Sequence, residues 1–244
     1  IVVNCAGRTR SIIGAQSLIN AGIPNKVVAL QNGTMGWHLS GLQLEHGNTR
    51  LHPNPSAPAV DVARQRAGGV DQRFQVAHAT LDQVRAWQQD ASRSLYLVDV
   101  RTAEEFASGH LPGSKHAPGG QLVQATDRYA GVRGARIVTI CDSGVRSTMA
   151  AHWLKQMNWD VYVLEGGVPS TGLKTGAGAK PVLGSPEHAP QISVADLMAE
   201  IESGEVGVID LGYSRYYRRG HIPGARFLIR SRLETDKANL PLAA

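Results

Sequence analysis

The chain repeats itself, and a repeat constrains a fold more than any single motif, because one supersecondary unit must serve more than once. Ile1-Val-Val-Asn-Cys5-Ala-Gly-Arg8-Thr-Arg10-Ser11 matches Ile137-Val-Thr-Ile-Cys141-Asp142-Ser143-Gly144-Val145-Arg146-Ser147. Each copy is a short apolar run, a cysteine and a small polar loop ending in Arg-Ser. A helical pattern follows, Ile12 to Ala21 in one copy and Thr148 to Asn158 in the other. Then come a second apolar run (Val27 to Leu30, Val161 to Leu164) and a glycine turn, Asn32-Gly33 or Gly166-Gly167.

A different pair shares other features. Val98-Asp99-Val100-Arg101, Glu105-Phe106 and Gly109-His110-Leu111-Pro112-Gly113 match Ile209-Asp210-Leu211-Gly212, Tyr216-Tyr217 and Gly220-His221-Ile222-Pro223-Gly224. The same interval separates Asp99 from Asp210 and His110 from His221, so the register holds without a gap. A helix start precedes each: Thr80-x-x-Gln83 has the capping-box pattern, and Ser193-x-x-Asp196 keeps its N-cap residue.

These pieces read as one whole unit over residues 76–176, the back half of a unit over 1–50 and the front half of another over 191–244. Linkers are expected over 51–75, where Pro53, Pro55 and Pro58 cluster, and over 177–190, which holds Pro181, Pro186 and Pro190. Arg64 to Gly68 is expected to form a short helical brace inside the first. Apolar strands alternating with amphipathic helices imply an α/β fold: a central, mostly parallel sheet flanked by helices, with partial repeats on both sides. In such sheets function gathers at the carboxyl ends of strands, where both cysteines fall.

Composition removes several function classes. With 42% apolar and 18% charged residues the chain is that of a globular protein rather than a disordered one. No apolar run reaches the roughly 18 residues that span a bilayer, so no membrane role is expected. A net charge of +5 without basic blocks interleaved with aromatics argues against nucleic acid. Two cysteines, far apart and in no CxxC pair, fit neither a disulfide framework nor a zinc site. They suit a reducing compartment, so a cytoplasmic location is expected. The opening run, without Met, reads as the middle of a strand, so a preceding segment is expected to be missing.

The chemistry centres on Cys141. The run Ile137 to Ile140 aims it outward at a strand end. Gly144 relieves the steric limits of a tight turn, so that successive backbone N–H groups can face one concavity. The following helix adds its positive end. A thiol in that cradle loses its proton more readily than a free cysteine and becomes a nucleophile beside an anion-binding pocket. Asp142 opposes both effects unless it points away, whereas the first copy lacks that acid and offers Arg8 and Arg10. The structural roles expected elsewhere are turn and packing for His110 and His221, a polar pair for Asp99 and Arg101, core for Trp87, Trp153 and Trp159, and a solvated surface for Arg215 to Arg232.

The loop Cys141-Asp-Ser-Gly-Val-Arg-Ser147 resembles the active-site loop of rhodanese domains, as does Cys5-Ala-Gly-Arg-Thr-Arg-Ser11. Asp99 and Gly109-His110-Leu111-Pro112-Gly113 resemble the motif those domains carry near their N-termini. The resemblance covers all of 76–176 and most of both flanks, like a tandem multi-rhodanese sulfurtransferase that has been cut. It implies a thiosulfate sulfurtransferase with Cys141 and Cys5 as the catalytic residues. Asp142, Ser143, Gly144, Val145, Arg146, Ser147, Arg8 and Arg10 would bind substrate, and neither a metal nor an organic cofactor is needed. The implied partners are a small anionic sulfur donor and a thiophilic acceptor, cyanide or a thiol. The two terminal halves are expected to pair, within a chain or between chains.

Two rival readings share the fold. A Cys-loop phosphatase or arsenate reductase resembles it, but needs Cys-x5-Arg to encircle a tetrahedral oxyanion, whereas both copies here read Cys-x4-Arg. The other rival is a binding module that keeps the fold without turnover. The sulfur-carrier reading requires that Cys141 be reachable from solvent and that its loop amides face it.

Overall fold

The structure, a computed structural model, describes residues 1–47, 49, 53–178, 190–204 and 206–236. The chain forms two compact units, Ile1–Lys180 and Pro181–Ala244. The first contains β1 (Val2–Val3), α1 (Thr9–Asn20), β2 (Val28–Ala29), α2 (Gly33–Leu39), α3 (Ala57–Phe74), β3 (Ala77–Ala79), α4 (Leu81–Gln89) and β4 (Leu95–Asp99). It continues with α5 (Ala103–Ser108), β5 (Ser114–His116), α6 (Gly119–Gln124), α7 (Thr126–Tyr129), β6 (Arg136–Ile140), α8 (Val145–Gln156) and β7 (Asp160–Leu164).

Five strands form one sheet in the order β3-β7-β6-β4-β5, every pairing parallel. This is the expected α/β architecture. A parallel sheet is covered on both faces, and the sequence shows why this one is. On β6 Ile137, and just past its end Cys141, pack with Leu122, Ala150 and Leu154 from α6 and α8, while Val138 and Ile140 pack with Ala79, Val84 and Leu111 on the other face. That alternation is the period-2 pattern of a strand buried on both sides. Burying each such aliphatic side chain is worth about 1.5–3 kcal/mol. Thr139, also fully buried, donates from Oγ1 to Ser147 O at 3.3 Å or Tyr162 O at 3.2 Å, which ties the strand to the loop it feeds.

The expected linker over 51–75 is wrong for its described part. It holds α3, a helix of 18 residues, also longer than the expected brace at Arg64 to Gly68. The Ser56 side chain caps it by accepting from Ala59 N at 3.4 Å, and Pro58 sits in its first turn. The proline cluster was thus a helix start rather than a spacer. Ala67 and Val70 are buried where α3 packs on α8. At the other end of the unit His110 and Lys174 exchange backbone hydrogen bonds of 2.9 Å, and Gly176 N donates to Ala107 O at 2.8 Å. Most of the linker expected over 177–190 lies outside the described residues.

The N-terminal flank is packed onto the five-stranded domain. Helix α1 lies against α6, and Ile13 joins the core beneath it. Trp153 Nε1 donates to Ser17 Oγ at 2.8 Å, and Asn20 Nδ2 stands 3.4 Å from His152 Nε2. Its β1 and β2 pair in parallel, Val2 with Val28 and Val3 with Ala29. In the repeat alignment this is the register of Val138 with Tyr162 and Thr139 with Val163.

The second unit contains α9 (Val194–Ser203), β8 (Ile209–Asp210), α10 (Ser214–Tyr217), β9 (Arg226–Phe227), a 3-10 turn (Arg230–Arg232) and α11 (Leu233–Asp236). Ser193 caps α9, accepting from Asp196 N at 3.1 Å. Strands β8 and β9 pair Ile209 with Arg226 and Asp210 with Phe227, the register of Val98 with Lys115 and Asp99 with His116. His221 repeats His110 in detail: each ring bonds through Nδ1 to the carbonyl four residues earlier (Tyr217 O at 2.8 Å, Phe106 O at 2.9 Å). Each also stacks on that residue's ring, at 3.9 and 3.8 Å. These are the turn-and-packing roles expected for both histidines.

Candidate functional site

Strand β6 delivers Cys141 to its carboxyl end, and Gly144, at φ 79°, turns the chain into α8. No side chain other than glycine enters that region without strain. Between them the loop folds back, and the Ser147 N–H reaches Cys141 Sγ at 3.3 Å. The Ser143 N–H does not join it, because it donates to the neighbouring Asp142 Oδ1 at 2.7 Å. Ser147 Oγ is buried with no hydrogen-bond partner.

The loop rests on a turn that sequence reading took only as a turn. Gly167, at φ 71°, lies so close that a Cβ there would sit 2.6 Å from Cys141 O and 2.7 Å from Asp142 O. Val168 N donates to Cys141 O at 3.2 Å. With that carbonyl held from behind, the Ser147 N–H is left on the sulfur's side. The first copy does the same: a Cβ on Gly33 would lie 2.1 Å from Cys5 O, and Thr34 N donates to Cys5 O at 2.9 Å. The glycine that follows the second apolar run in both copies, Gly33 and Gly167, was the signal available in the sequence.

One expectation fails outright. Cys141 was expected to face solvent, and it is 1% exposed. It belongs to the core cluster that includes Val100, Leu122 and Ala150, so the outward aim of the strand end is overridden by the elements that close over it. Its loop neighbours Ser143, Gly144, Val145 and Arg146 are half-buried and Asp142 is exposed, so the sulfur lies just beneath the rim. Cys5, by contrast, stays half-exposed. Its thiol is held below the ordinary value by the Ser11 hydroxyl 3.5 Å away. Burial works against this, and the Gly7 and Ser11 amides and the Arg10 charge add to it.

Arg146 was expected to face an anionic donor, but its guanidinium is already taken. Nη1 and Nη2 donate to Glu105 at 2.7 and 2.8 Å, and Nη2 also donates to Asp142 at 3.0 Å. The arrangement holds the Glu105 carboxyl at about 2, with Arg146 as the largest cause. Burial raises Asp142, but Arg146 and the Ser143 amide bring it out below the usual carboxylate range. Asp142 thus points toward Arg146 rather than toward the sulfur. Glu105 also accepts from Thr102 N at 2.8 Å while Thr102 accepts from Glu105 N at 3.2 Å, a capping box at the start of α5. Sequence reading had placed Glu105 in the repeat without assigning it a role, and the pattern Thr102-x-x-Glu105 was its available signal.

Asp99 and Arg101 form the expected polar pair. It is buried, with Arg101 Nη2 2.7 Å from Asp99 Oδ2 and 2.6 Å from Gly109 O, and it braces the floor of the site. In the first copy Arg10 is half-buried near Cys5, while Arg8 lines a separate hollow over β2 with Leu30 and Asn32. The two arginines do not converge on one point. Three hollows border the Cys141 loop or the start of α8. One, of about 370 Å³, lies between the loop, His78 and Gly167. A second, of about 320 Å³, lies between α1 and α8 and includes Arg10 and Arg146. The third, of about 670 Å³, runs between the loop and the first turns of α3.

Comparison with known proteins bears on this geometry. A model of the rhodanese-like domain matches residues 80–171. The protein "Putative sulfurtransferase YtwF" of Bacillus subtilis is 32% identical over 79 residues, which span 32% of this chain and 75% of that protein. "Putative sulfur carrier protein YrkF" of the same organism is 36% identical over 70 residues, 29% of this chain and 37% of its own length. The crystal structure of thiosulfate sulfurtransferase from Pseudomonas aeruginosa superposes with a TM-score of 0.86 at 48% identity; the match covers 99% of this chain but 46% of that one. With the five-stranded parallel sheet, the cysteine at its carboxyl edge and the matching motifs all in place, the chain belongs to the rhodanese-like family.

Proposed function

We propose that the chain is a sulfurtransferase that carries a sulfane sulfur on Cys141 as a persulfide. The observation that carries this reading is the Ser147 amide on Cys141 Sγ at the junction of β6 and α8, a donor placed where negative charge must be held. In the first half-reaction the Cys141 thiolate attacks the outer sulfur of thiosulfate or a similar donor. The Sγ–S bond forms, the S–S bond of the donor breaks, and sulfite leaves with the bonding pair. In the second, a thiophilic acceptor such as cyanide or a thiol attacks the outer sulfur and returns the thiolate. Atoms and electrons balance without a metal or organic cofactor, and no general acid is required because sulfite leaves readily. Cys5, more open and with a lowered pKa, is a second candidate carrier. Because Cys141 is covered, turnover includes a step that uncovers the sulfur, and apo geometry of this kind does not disqualify a catalytic group.

The covered thiol is also the one observation that favours a different reading, a binding module that keeps the fold without turnover. Intact-mass analysis after thiosulfate treatment separates the two. The expected result is one added sulfur atom on Cys141, with sulfite release falling at least about hundredfold in Cys141→Ser and much less in Cys5→Ser. A folded chain that remains an unmodified thiol sinks the sulfurtransferase reading.

A further inference from the structure

In the Cys141 loop one guanidinium faces two carboxylates. Arg146 is held by Glu105 at 2.7 and 2.8 Å and by Asp142 at 3.0 Å, so the cluster carries one negative charge in excess. Of the other arginines bordering the site, Arg101 is held by Asp99 at 2.7 Å, Arg64 makes only an exposed contact with Asp61 at 3.2 Å, and Arg10 shares the hollow between α1 and α8 with Arg146. The first copy differs: Cys5 is followed by Ala6, Gly7, Arg8, Thr9 and Arg10, with no acid in the loop. A doubly charged oxyanion approaching Cys141 therefore meets a loop guanidinium already neutralised by two acids. Coulomb energies at such distances are large enough at an effective dielectric near 20 to decide between donors.

We propose that Glu105 is a specificity-determining positioning residue. By pinning Arg146 it withholds the loop's cation from doubly charged donors, so the site favours a sulfane donor of lower charge, such as an organic persulfide, over thiosulfate. The inference rests on the sulfurtransferase reading above and narrows its donor. With such a donor, R–S–SH, the Cys141 thiolate attacks the outer sulfur, the S–S bond breaks toward R–S⁻, and the proton stays on the transferred sulfur. No oxidant or reductant enters.

Glu105→Gln isolates the charge. Glutamine still accepts the Thr102 N–H, so the capping box at the start of α5 survives while the ionic hold on Arg146 is lost. Sulfur loading of the full chain is measured with thiosulfate and with cysteine persulfide, by mass and by stopped-flow, over a range of salt. The expected result is that Glu105→Gln raises kcat/KM for thiosulfate about tenfold, chiefly through KM, with a steeper salt dependence, and that Glu105→Asp returns it toward wild type. Arg146→Gln in the wild-type background leaves Glu105 and Asp142 unpaired and takes the cluster from one excess negative charge to two, so it is expected to lower thiosulfate kcat/KM about tenfold. The inference is overturned if Glu105→Gln stays within about twofold of wild type on thiosulfate, or if Arg146→Gln approaches the loss seen in Cys141→Ser. Loading of Cys141 by neither donor, in wild type and variants alike, would instead remove the sulfurtransferase reading itself.

Discussion

The two cysteine loops share a backbone and differ in their surroundings. Both follow a strand, both end in Arg-Ser, and both lean on a left-handed glycine, Gly33 or Gly167, packed against the cysteine carbonyl. Yet Cys5 is half-exposed beside an arginine, while Cys141 is sealed beside an arginine tied to two acids. The loop's shape is thus set locally, by the strand before it and the glycine turn after its helix. Its charge and cover come from the front half of a unit, which supplies Glu105, Val100 and Leu122 around Cys141.

The sharpest way to break this division is to damage the shared part. Gly167→Ala forces a Cβ into two carbonyl oxygens at a positive φ, and Gly33→Ala does the same in the first copy. Each is expected to cost about 3 kcal/mol or more, because the obstacle is backbone and cannot swing away. Urea unfolding, followed by hydrogen exchange at the loop amides, checks it; a loss below about 1 kcal/mol at Gly167 would mean that the turn does not set the loop.

A smaller effect probes the cover. Iodoacetamide is expected to label Cys5 about tenfold faster than Cys141 at neutral pH, since Cys5 is more open and has a lowered pKa. Peptide mass spectrometry gives both rates in one digest, and equal rates would erase the contrast.

The smallest effect concerns charge. The folded-state pKa of Glu105 is about 2 against an ordinary 4.5, so its ion pair stabilises the fold fully above 4.5. That stabilisation is lost as pH falls from 4.5 toward 2. The pair is about one-third exposed, which limits its worth to roughly 1 kcal/mol. Urea midpoints measured across that window are expected to fall more for wild type than for Glu105→Gln, and parallel curves would show that the pair contributes nothing.

Much of this was legible in the sequence, for physical reasons that can be named. Strands β6 and β7 sit under Ile137 to Ile140 and Val161 to Leu164 because short apolar runs bounded by turn residues fit a strand buried on both faces. The capping box at Thr80 and Gln83 was read correctly because both partners lie within one turn. Helix α3 was missed because it buries only Ala67 and Val70, so its apolar stripe is faint, and Gly68-Gly69 interrupts the pattern. The Arg146–Glu105 pair was missed because its partners are far apart in the chain and meet only once β4 and β6 are neighbours. The sealing of Cys141 was missed for the same reason: no local pattern reports what closes over a strand end.

The conserved pairing within each partial repeat has a further reach. Val98 with Lys115 and Ile209 with Arg226 align residue for residue, as do Val138 with Tyr162 and Val2 with Val28. Segments exchanged between copies at equivalent points would therefore arrive already in phase, with inward residues still inward. A slip of one residue would reverse every face. Exchanging the doubly basic Cys5 loop with the neutral Cys141 loop would accordingly leave the strand register beneath it unchanged.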